Sequence, residues 1–544
     1  YHYPRWDHLG KTYIRGARAE LGVDATDDIS TTEILVDYLR RLNPSLQVHT
    51  ITREEFEANE TNGIFLCVDR PYDTQWAMNQ ICRQKECPFI AVETAGIHGR
   101  IFSDFGPTFI VHDADGETPA VVPLDRVEVV NHKEDSLLLV RAVEGERHDV
   151  SSGDEIRFLL SNGEKMDISC IVKQVQTPEK ILVQVKASEI DLPSFVNDVN
   201  SAAASFSREK PLIPVTFINL EDATKNFYQD ASLFTPCDFD KAFDETRKNA
   251  IFDAFQSLND YVKKFNKLPM DENGVGEFVQ QMDKNGIAHR ELFATMCAAK
   301  FVPMQAIFGA LAAQECLKAA SGLYNPIHQF LLYDCDEVLD LEKTGKVGPS
   351  ENIHSGLAYI MGEDTIEALR NRKLFVVGAG AIGCELLKNL AAMEAGTGKK
   401  GHIVLTDMDT IEKSNLSRQF LFRDGDISKF KSKAAEEAVA RLNPLVKIES
   451  FTNRVGDTEN GPFDSTFWSK KVHIVLNALD NVDARLYMDA QCVANKKALV
   501  DAGTLGSKGN VQVVVPNLSE SYASSADPPD PAIPVCTLKN FPYS

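Results

Sequence analysis

Apolar positions along this chain repeat with two different periods, and the switches between them mark its organisation. From about 125 to 205 the apolar residues gather in short β-rich runs, 156–160, 166–172 and 181–186, joined by the turn pairs Ser152-Gly153 and Asn162-Gly163. That pattern predicts a small β domain. From about 236 to 300 the step lengthens. Ile251, Phe255, Leu258, Val262 and Phe265 recur by four and three, the spacing of one face of an amphipathic helix, and predict a helical bundle. A helical run over 306–320 and a strand-like 330–333 then resume an α/β pattern that both segments interrupt. In the last third, an apolar strand at 373–377 meets a glycine-rich turn at 378–383, a helix to Met393 and further strands at 402–405 and 472–476.

The chain also echoes itself about 400 residues apart. Arg41-Leu42-Asn43-Pro44 returns as Arg441-Leu442-Asn443-Pro444, each closing a helical pattern before an alternating segment. Ile64-Phe65-Leu66 returns as Ile474-Val475-Leu476, and Gly96-Ile97-His98-Gly99 as Gly506-Ser507-Lys508-Gly509. The fold class is therefore α/β, with a duplicated unit. The copies differ where chemistry is expected: Asp480-Asn481 stands opposite Arg70-Pro71, which predicts one active and one inactive copy.

Length and composition narrow the class of protein. At 544 residues the chain exceeds one hydrophobic core and calls for about three or four domains. Lys plus Arg number 57 against 79 Asp plus Glu, a net −22 that repels phosphate backbones and anionic lipid, so neither nucleic acid nor membrane is expected as a partner. Eleven irregularly spaced cysteines fit reduced thiols in the cytoplasm or nucleus. Cys82 and Cys87, the one close pair, read as buried thiols rather than half of a zinc site. No apolar run reaches the roughly 18 to 20 residues that span a bilayer, and the opening Tyr1-His2-Tyr3-Pro4-Arg5-Trp6 lacks the apolar core of a signal peptide.

Strand, glycine turn, helix is the order that brings backbone N–H groups and a helix N-terminus to a phosphate. Gly378, Gly380 and Gly383 with Ala381 form that turn, which suits NAD, FAD or ATP, or a tight turn with no ligand. Asp407 ends the next strand, where a carboxylate hydrogen-bonds a ribose. The cluster Asn415, Arg418, Gln419 and Lys431 has the bidentate and point-charge donors that hold a triphosphate, with a solvated charged loop as the plain alternative. Asp480-Asn481 follows a strand at the carboxyl end of the sheet. A carboxylate there suits Mg²⁺, or Asp480 is a helix N-cap. Cys384 and Cys492 fall inside helical patterns as small core residues. Four prolines within 528–534 predict an extended linker ahead of Cys536, a thiol that no neighbouring His or cation cluster singles out.

Those stretches, with Asp407-Met408-Asp409-Thr410-Ile411-Glu412-Lys413-Ser414-Asn415-Leu416, Arg418-Gln419, Ala478-Leu479-Asp480-Asn481 and Pro534-Val535-Cys536-Thr537-Leu538-Lys539-Asn540-Phe541-Pro542, resemble the eukaryotic ubiquitin-activating enzymes of the ubiquitin-like modifier-activating family. The likeness runs almost without gaps over 374–542 and is looser, but in order, upstream. It implies duplicated Rossmann-like adenylation domains with an inserted small β domain and a helical bundle. The inactive half takes 1–124 and 301–345, the first catalytic-cysteine half-domain 125–205 and a four-helix-bundle-like segment 206–300. The active adenylation domain follows over 346–526, with a crossover linker over 527–544.

The resemblance implies ATP and Mg²⁺ as cofactors and ubiquitin as substrate. Ubiquitin's C-terminus is adenylated with release of pyrophosphate, then carried as a thioester on Cys536 toward ubiquitin-conjugating enzymes. Ala381 lies in the phosphate turn, Asp407 holds the ribose, Asn415, Arg418 and Lys431 hold phosphates, and Asp480 with Asp409 positions Mg²⁺. A duplicated chain needs no partner copy, so a monomer is expected. The family pattern also has an ATP-directed arginine in a region upstream of Tyr1 and two domains beyond the last residue, so segments are expected to be missing at both ends. An Arg-Tyr pair of the family is replaced by Asn352-Ile353-His354-Ser355-Gly356. Three readings stand beside this one: a paralogue that binds ATP or ubiquitin without turnover, an activator of another ubiquitin-like modifier, and an NAD-dependent oxidoreductase.

Overall fold

The computed structural model describes residues 31–58, 63–131, 137–159, 165–185, 191–202, 204–236, 245–270, 272–282, 290–340, 342–344, 355–456, 461–505 and 508–524. Its largest sheet has six strands, in the order Ile448–Phe451, His402–Thr406, Lys373–Val377, Ile474–Asn477, Ala498–Leu505, Lys508–Val514. The first five run parallel and the last is antiparallel. A parallel strand is covered on both faces, which is why Leu374, Phe375, Val376 and Val377 form an unbroken apolar run. On one face Ala381–Ala392 and Lys431–Leu442 pack over Val376, Ile403 and Leu405. On the other, Ser465–Lys470 and Val482–Ala494 bury Phe467, Trp468, Met488 and Cys492 against Phe375 and Val475. This is a Rossmann-like α/β domain.

A smaller sheet repeats part of it, in the order Phe65–Val68, Phe89–Ala95, His98–Asp104, Phe330–Asp334. Phe65–Val68 and Phe89–Ala95 are parallel, and the latter turns back through a hairpin closed by Ala95 opposite His98. The larger sheet closes its last hairpin with Leu505 opposite Lys508, and helix Tyr72–Gln84 occupies the place of Val482–Ala494. The echo read in the sequence is thus an echo of strand, helix and hairpin.

Between the halves a six-stranded barrel closes because Ser205–Glu209 pairs with both Val121–Asn131 and Glu155–Leu159. Its strands therefore begin before residue 125 and end after 205, since closure recruits a strand from each side. The side chain of Asn200 donates to the Val127 carbonyl and accepts from its N–H, at 2.9 and 2.8 Å, holding helix Leu192–Ser201 on the barrel.

Two groupings differ from the sequence expectation. The helices Leu220–Asn226, Glu245–Phe265, Glu272–Gln281 and Arg290–Met296 share one core with the smaller sheet, where Ile251, Phe252, Phe255 and Phe293 meet Cys67, Phe89, Phe102 and Phe330. They cover that sheet rather than forming a bundle with a core of its own. Helices Ser355–Met361 and Glu363–Arg370, assigned by sequence to the second half, bury Leu357, Ile360 and Ile366 with Ile90, Ile101 and Phe308 of the first. An apolar stripe alone does not reveal which sheet it faces. Nine cysteines among the described residues stand outside any disulfide, and Cys82 and Cys87 are buried in the core. Cys536 and the Asn352-Ile353-His354 stretch lie outside the described residues. No helix among those described is long and apolar enough to cross a membrane.

Candidate functional site

Five parallel strands end at a cleft of about 470 Å³. Such crevices at the carboxyl ends of parallel strands are where open α/β sheets take ligands. Gly378, Gly380, Ala381, Asp407, Asp409, Asn415, Arg418, Gln419, Lys431, Asp480 and Asn481 all line it, so residues spread over about a hundred positions of sequence converge on one space. Gly383 does not. A Cβ there would lie 2.1 Å from the Gly378 carbonyl oxygen, so its role is to let the helix start against the turn. Gly378 has φ +100°, and a Cβ on it would strike the Ala478 carbonyl at 2.5 Å. Gly380 precedes helix Ala381–Ala392, gives it no side-chain cap, and has open space where a Cβ would be. The first-turn N–H groups of a twelve-residue helix are thereby aimed at the cleft.

Around that turn the cleft carries both signs of charge. Asp407 accepts from the Ala379 N–H at 2.7 Å and the Asp409 N–H at 2.9 Å, which ties the glycine turn to the end of strand His402–Thr406. Burial pushes its carboxyl above the ordinary range, against these two hydrogen bonds and the nearby Lys431. Lys431 Nζ pairs with Asp409 at 2.8 Å. The Asn415 side chain is mostly buried, and its oxygen accepts from the Glu412 N–H at 3.0 Å, shaping the loop that presents Arg418. Gln419 is 3% exposed, and its Oε1 has no partner within the protein. A buried, unsatisfied oxygen on a cleft wall is the kind of atom a ligand donor or water completes.

Asp480 and Asn481 divide the work that sequence left open. Asn481 is the N-cap of helix Val482–Ala494, accepting from the Ala484 N–H at 2.8 Å. Asp480 is exposed at the mouth, and its carboxylate makes no hydrogen bond or ion pair among the described residues. Two cations escaped the sequence reading. Arg485 donates to the Leu479 carbonyl at 2.7 Å and lies 3.5 Å from Asp501, while Arg454 follows strand Ile448–Phe451. The position of Arg485, one turn beyond Asn481, is the signal that would have found it.

The corresponding place in the smaller sheet is closed. Arg100 and Glu93 form a buried ion pair with the guanidinium 5.0 Å from the Phe255 ring, and Lys300 pairs with Asp69 at 2.8 Å. Leu258 and Val262 of helix Glu245–Phe265 face Asp69, Arg70 and Pro71 across a void of about 20 Å³, roughly room for one water. The one group of three described carboxylates able to share a metal ion, Asp334, Asp336 and Glu337, is instead taken up by Arg247.

Fold and cleft together define a Rossmann-like α/β protein of the adenylation type, with one open and one closed copy of the site. The ThiF family model matches residues 28–338 and 354–542, and the chain belongs to that family. Among curated proteins it is similar to "Ubiquitin-like modifier-activating enzyme 1" of Mus musculus, 36% identical over 502 residues, covering 88% of this chain and 45% of that protein. The Dictyostelium discoideum protein of the same name is 36% identical over 497 residues, 88% of this chain and 47% of the relative. "Ubiquitin-activating enzyme E1 1" of Schizosaccharomyces pombe is 34% identical over 547 residues, 95% and 51%. The chain spans about half the length of the curated relatives it matches. Among solved structures, E. coli MccB aligns over 32% of this chain and 49% of its own at 21% identity and a TM-score of 0.28, too slight a likeness to argue from.

Proposed function

We propose that the chain activates ubiquitin, or a close relative of it, by adenylating the modifier's C-terminal carboxylate with MgATP and then carrying it on the Cys536 thiol. The observation that carries this reading is the convergence of an uncapped helix N-terminus, Arg418, Lys431 and the unengaged Asp480 carboxylate on one cleft. The residues fit a nucleotide triphosphate. Gly380 leaves the space a phosphate needs, and Gln419 Oε1 lacks a partner.

When bound, ATP supplies an electrophilic α-phosphorus and a pyrophosphate leaving group. Asp407 accepts from the ribose hydroxyls. The first-turn N–H groups of Ala381–Ala392, with Arg418 and Lys431, hold the phosphate oxygens and offset the charge that builds on the leaving pyrophosphate. Asp480 would supply an oxygen ligand for Mg²⁺, and Asp409, which pairs with Lys431 in this structure, would supply a second. These contributions are positioning and charge stabilisation, with no proton for the chain to move at this step. The Cys536 thiolate then attacks the carbonyl carbon of the acyl adenylate, forming the thioester and expelling AMP. A ubiquitin-conjugating enzyme is the proposed acceptor, in cytoplasm and nucleus.

The test is to incubate the chain with ubiquitin and MgATP and resolve adducts with and without thiol reductant. The reading predicts a reductant-sensitive ubiquitin adduct absent from Cys536→Ser. An adduct that persists in Cys536→Ser, or none from either, contradicts the assignment of that thiol.

A further inference from the structure

The amino ends of the five parallel strands, opposite the cleft, carry an unbroken row of bases. In register across the sheet, Lys373 lies opposite His402, and Leu374 opposite Ile474. Ile403 lies opposite Ile448, and Ile474 opposite Ala498. The positions at or just before these starts are, in sheet order, Lys447, His402, Lys373, His473 and Lys497. At about 4.8 Å between strands the row is roughly 19 Å long. Arg372, Lys399, Lys400, Lys470, Lys471 and Lys496 stand beside it and are exposed.

Several local contacts fix this edge without neutralising it. Lys373 Nζ donates to the Lys470 carbonyl at 2.6 Å, Lys447 Nζ to the Gly398 carbonyl at 2.7 Å, and the Lys373 N–H to His473 Nδ1 at 3.2 Å. Among the described residues, the 3.0 Å pair of Lys471 with Glu449 is the one carboxylate contact these lysines make. His402 Nε2 is buried with no partner. Burial, then Lys373 and other nearby cations, hold both histidines below their usual range, as a positive field requires.

We infer that this edge is a docking surface for an acidic polypeptide segment. A chain of net −22 concentrates cations here, so the site attracts anions locally while the rest of the molecule repels them. That contrast favours a short acidic segment over a long nucleic acid, whose flanks would meet the acidic remainder. The strands separate the edge from the cleft, so docking leaves the nucleotide site open.

The probe is a fluorescent peptide of sixteen alternating Asp and Glu, titrated with the whole chain in 0.15 M salt. The control is a variant with Lys399→Glu, Lys400→Glu, Lys470→Glu and Lys496→Glu, all outside the cleft. The inference predicts salt-sensitive binding that weakens at least about tenfold in the variant while its thermal midpoint and nucleotide binding stay unchanged. A second variant with Lys399→Gln and Lys400→Gln gives an intermediate loss, which keeps the test valid if the fourfold reversal misfolds. No binding, equal binding by wild type and variants, or tighter binding of a sixteen-nucleotide single-stranded DNA to the same residues would overturn it.

Discussion

Two glycines three residues apart, Gly380 and Gly383, are predicted to fail in opposite ways when given a side chain. Gly383→Ala places a Cβ 2.1 Å from the Gly378 carbonyl oxygen and 2.8 Å from its carbon, both backbone atoms of the turn. Neither moves without shifting the helix start. Overpacking of this severity costs about 3 kcal/mol, from which about 1 kcal/mol of helix preference for Ala over Gly is recovered. A net loss of about 2 kcal/mol lowers the midpoint of this domain by roughly 4–8 °C. Gly380→Ser meets no atom within 4 Å, at φ −74° that any residue adopts, and serine is a good N-cap. Its stability should stay level or rise by a few tenths of a kcal/mol. Its hydroxyl, however, occupies the cradle and takes a first-turn N–H from the phosphate. Losing one charge-assisted hydrogen bond of about 1.5–3 kcal/mol predicts roughly 10- to 100-fold weaker ATP binding. Differential scanning and equilibrium binding of a fluorescent ATP analogue read the two effects separately. A Gly383→Ala variant as stable as wild type, or a Gly380→Ser variant that binds ATP normally, would refute this account of the turn.

Other consequences follow from single contacts. Asn481→Ala removes the cap on Val482–Ala494 and should cost about 1 kcal/mol, measured by urea denaturation, whereas Asp480→Ala should change stability by less than about 0.5 kcal/mol. Arg100→Met strands the Glu93 carboxylate in the core and should cost about 3–5 kcal/mol, with much of the loss recovered when Glu93→Gln is added; a single variant of wild-type stability would contradict the buried pair. Burial pushes the Cys384 and Cys492 thiols up to about 12 from an ordinary 9.0, so both stay protonated at pH 8. Iodoacetamide should label them only after unfolding, as read by peptide mass spectrometry. Because the folded state holds these protons more tightly, their stabilising effect is full below pH 9 and is lost as pH rises toward 12.

Much of the fold was legible because its signals are local. The 373–383 stretch names its own strand, turn and helix, and the 400-residue echo marks the duplication within the sequence itself. Much of the set from Gly378 to Asp480 was legible for the same reason, Gly378, Asp407, Lys431 and Asp480 sitting at or next to a strand end or helix start, while Asn415, Arg418 and Gln419 lie in and just after a short turn between them. What stayed hidden depends on partners distant in sequence. Nothing near Ile251 or Phe255 says that they pack on Phe89 and Phe330, and nothing near Leu357 says that it belongs with Ile90. Gly383 was placed in the cleft because its neighbours are there, and only the 2.1 Å approach to Gly378 shows it beneath the turn. Asp480 and Asn481 are adjacent and both suited to cap a helix, and the hydrogen bond to Ala484 decides between them.

The central claim, that the open cleft transfers adenylate to a modifier's carboxylate, is tested most directly by ubiquitin-dependent exchange of labelled pyrophosphate into ATP. This assay needs neither Cys536 nor an acceptor. The account predicts exchange that requires ubiquitin, continues in Cys536→Ser and disappears in Asp480→Ala. Folded protein that binds ATP yet shows no exchange, or exchange indifferent to ubiquitin or to Asp480, would contradict it.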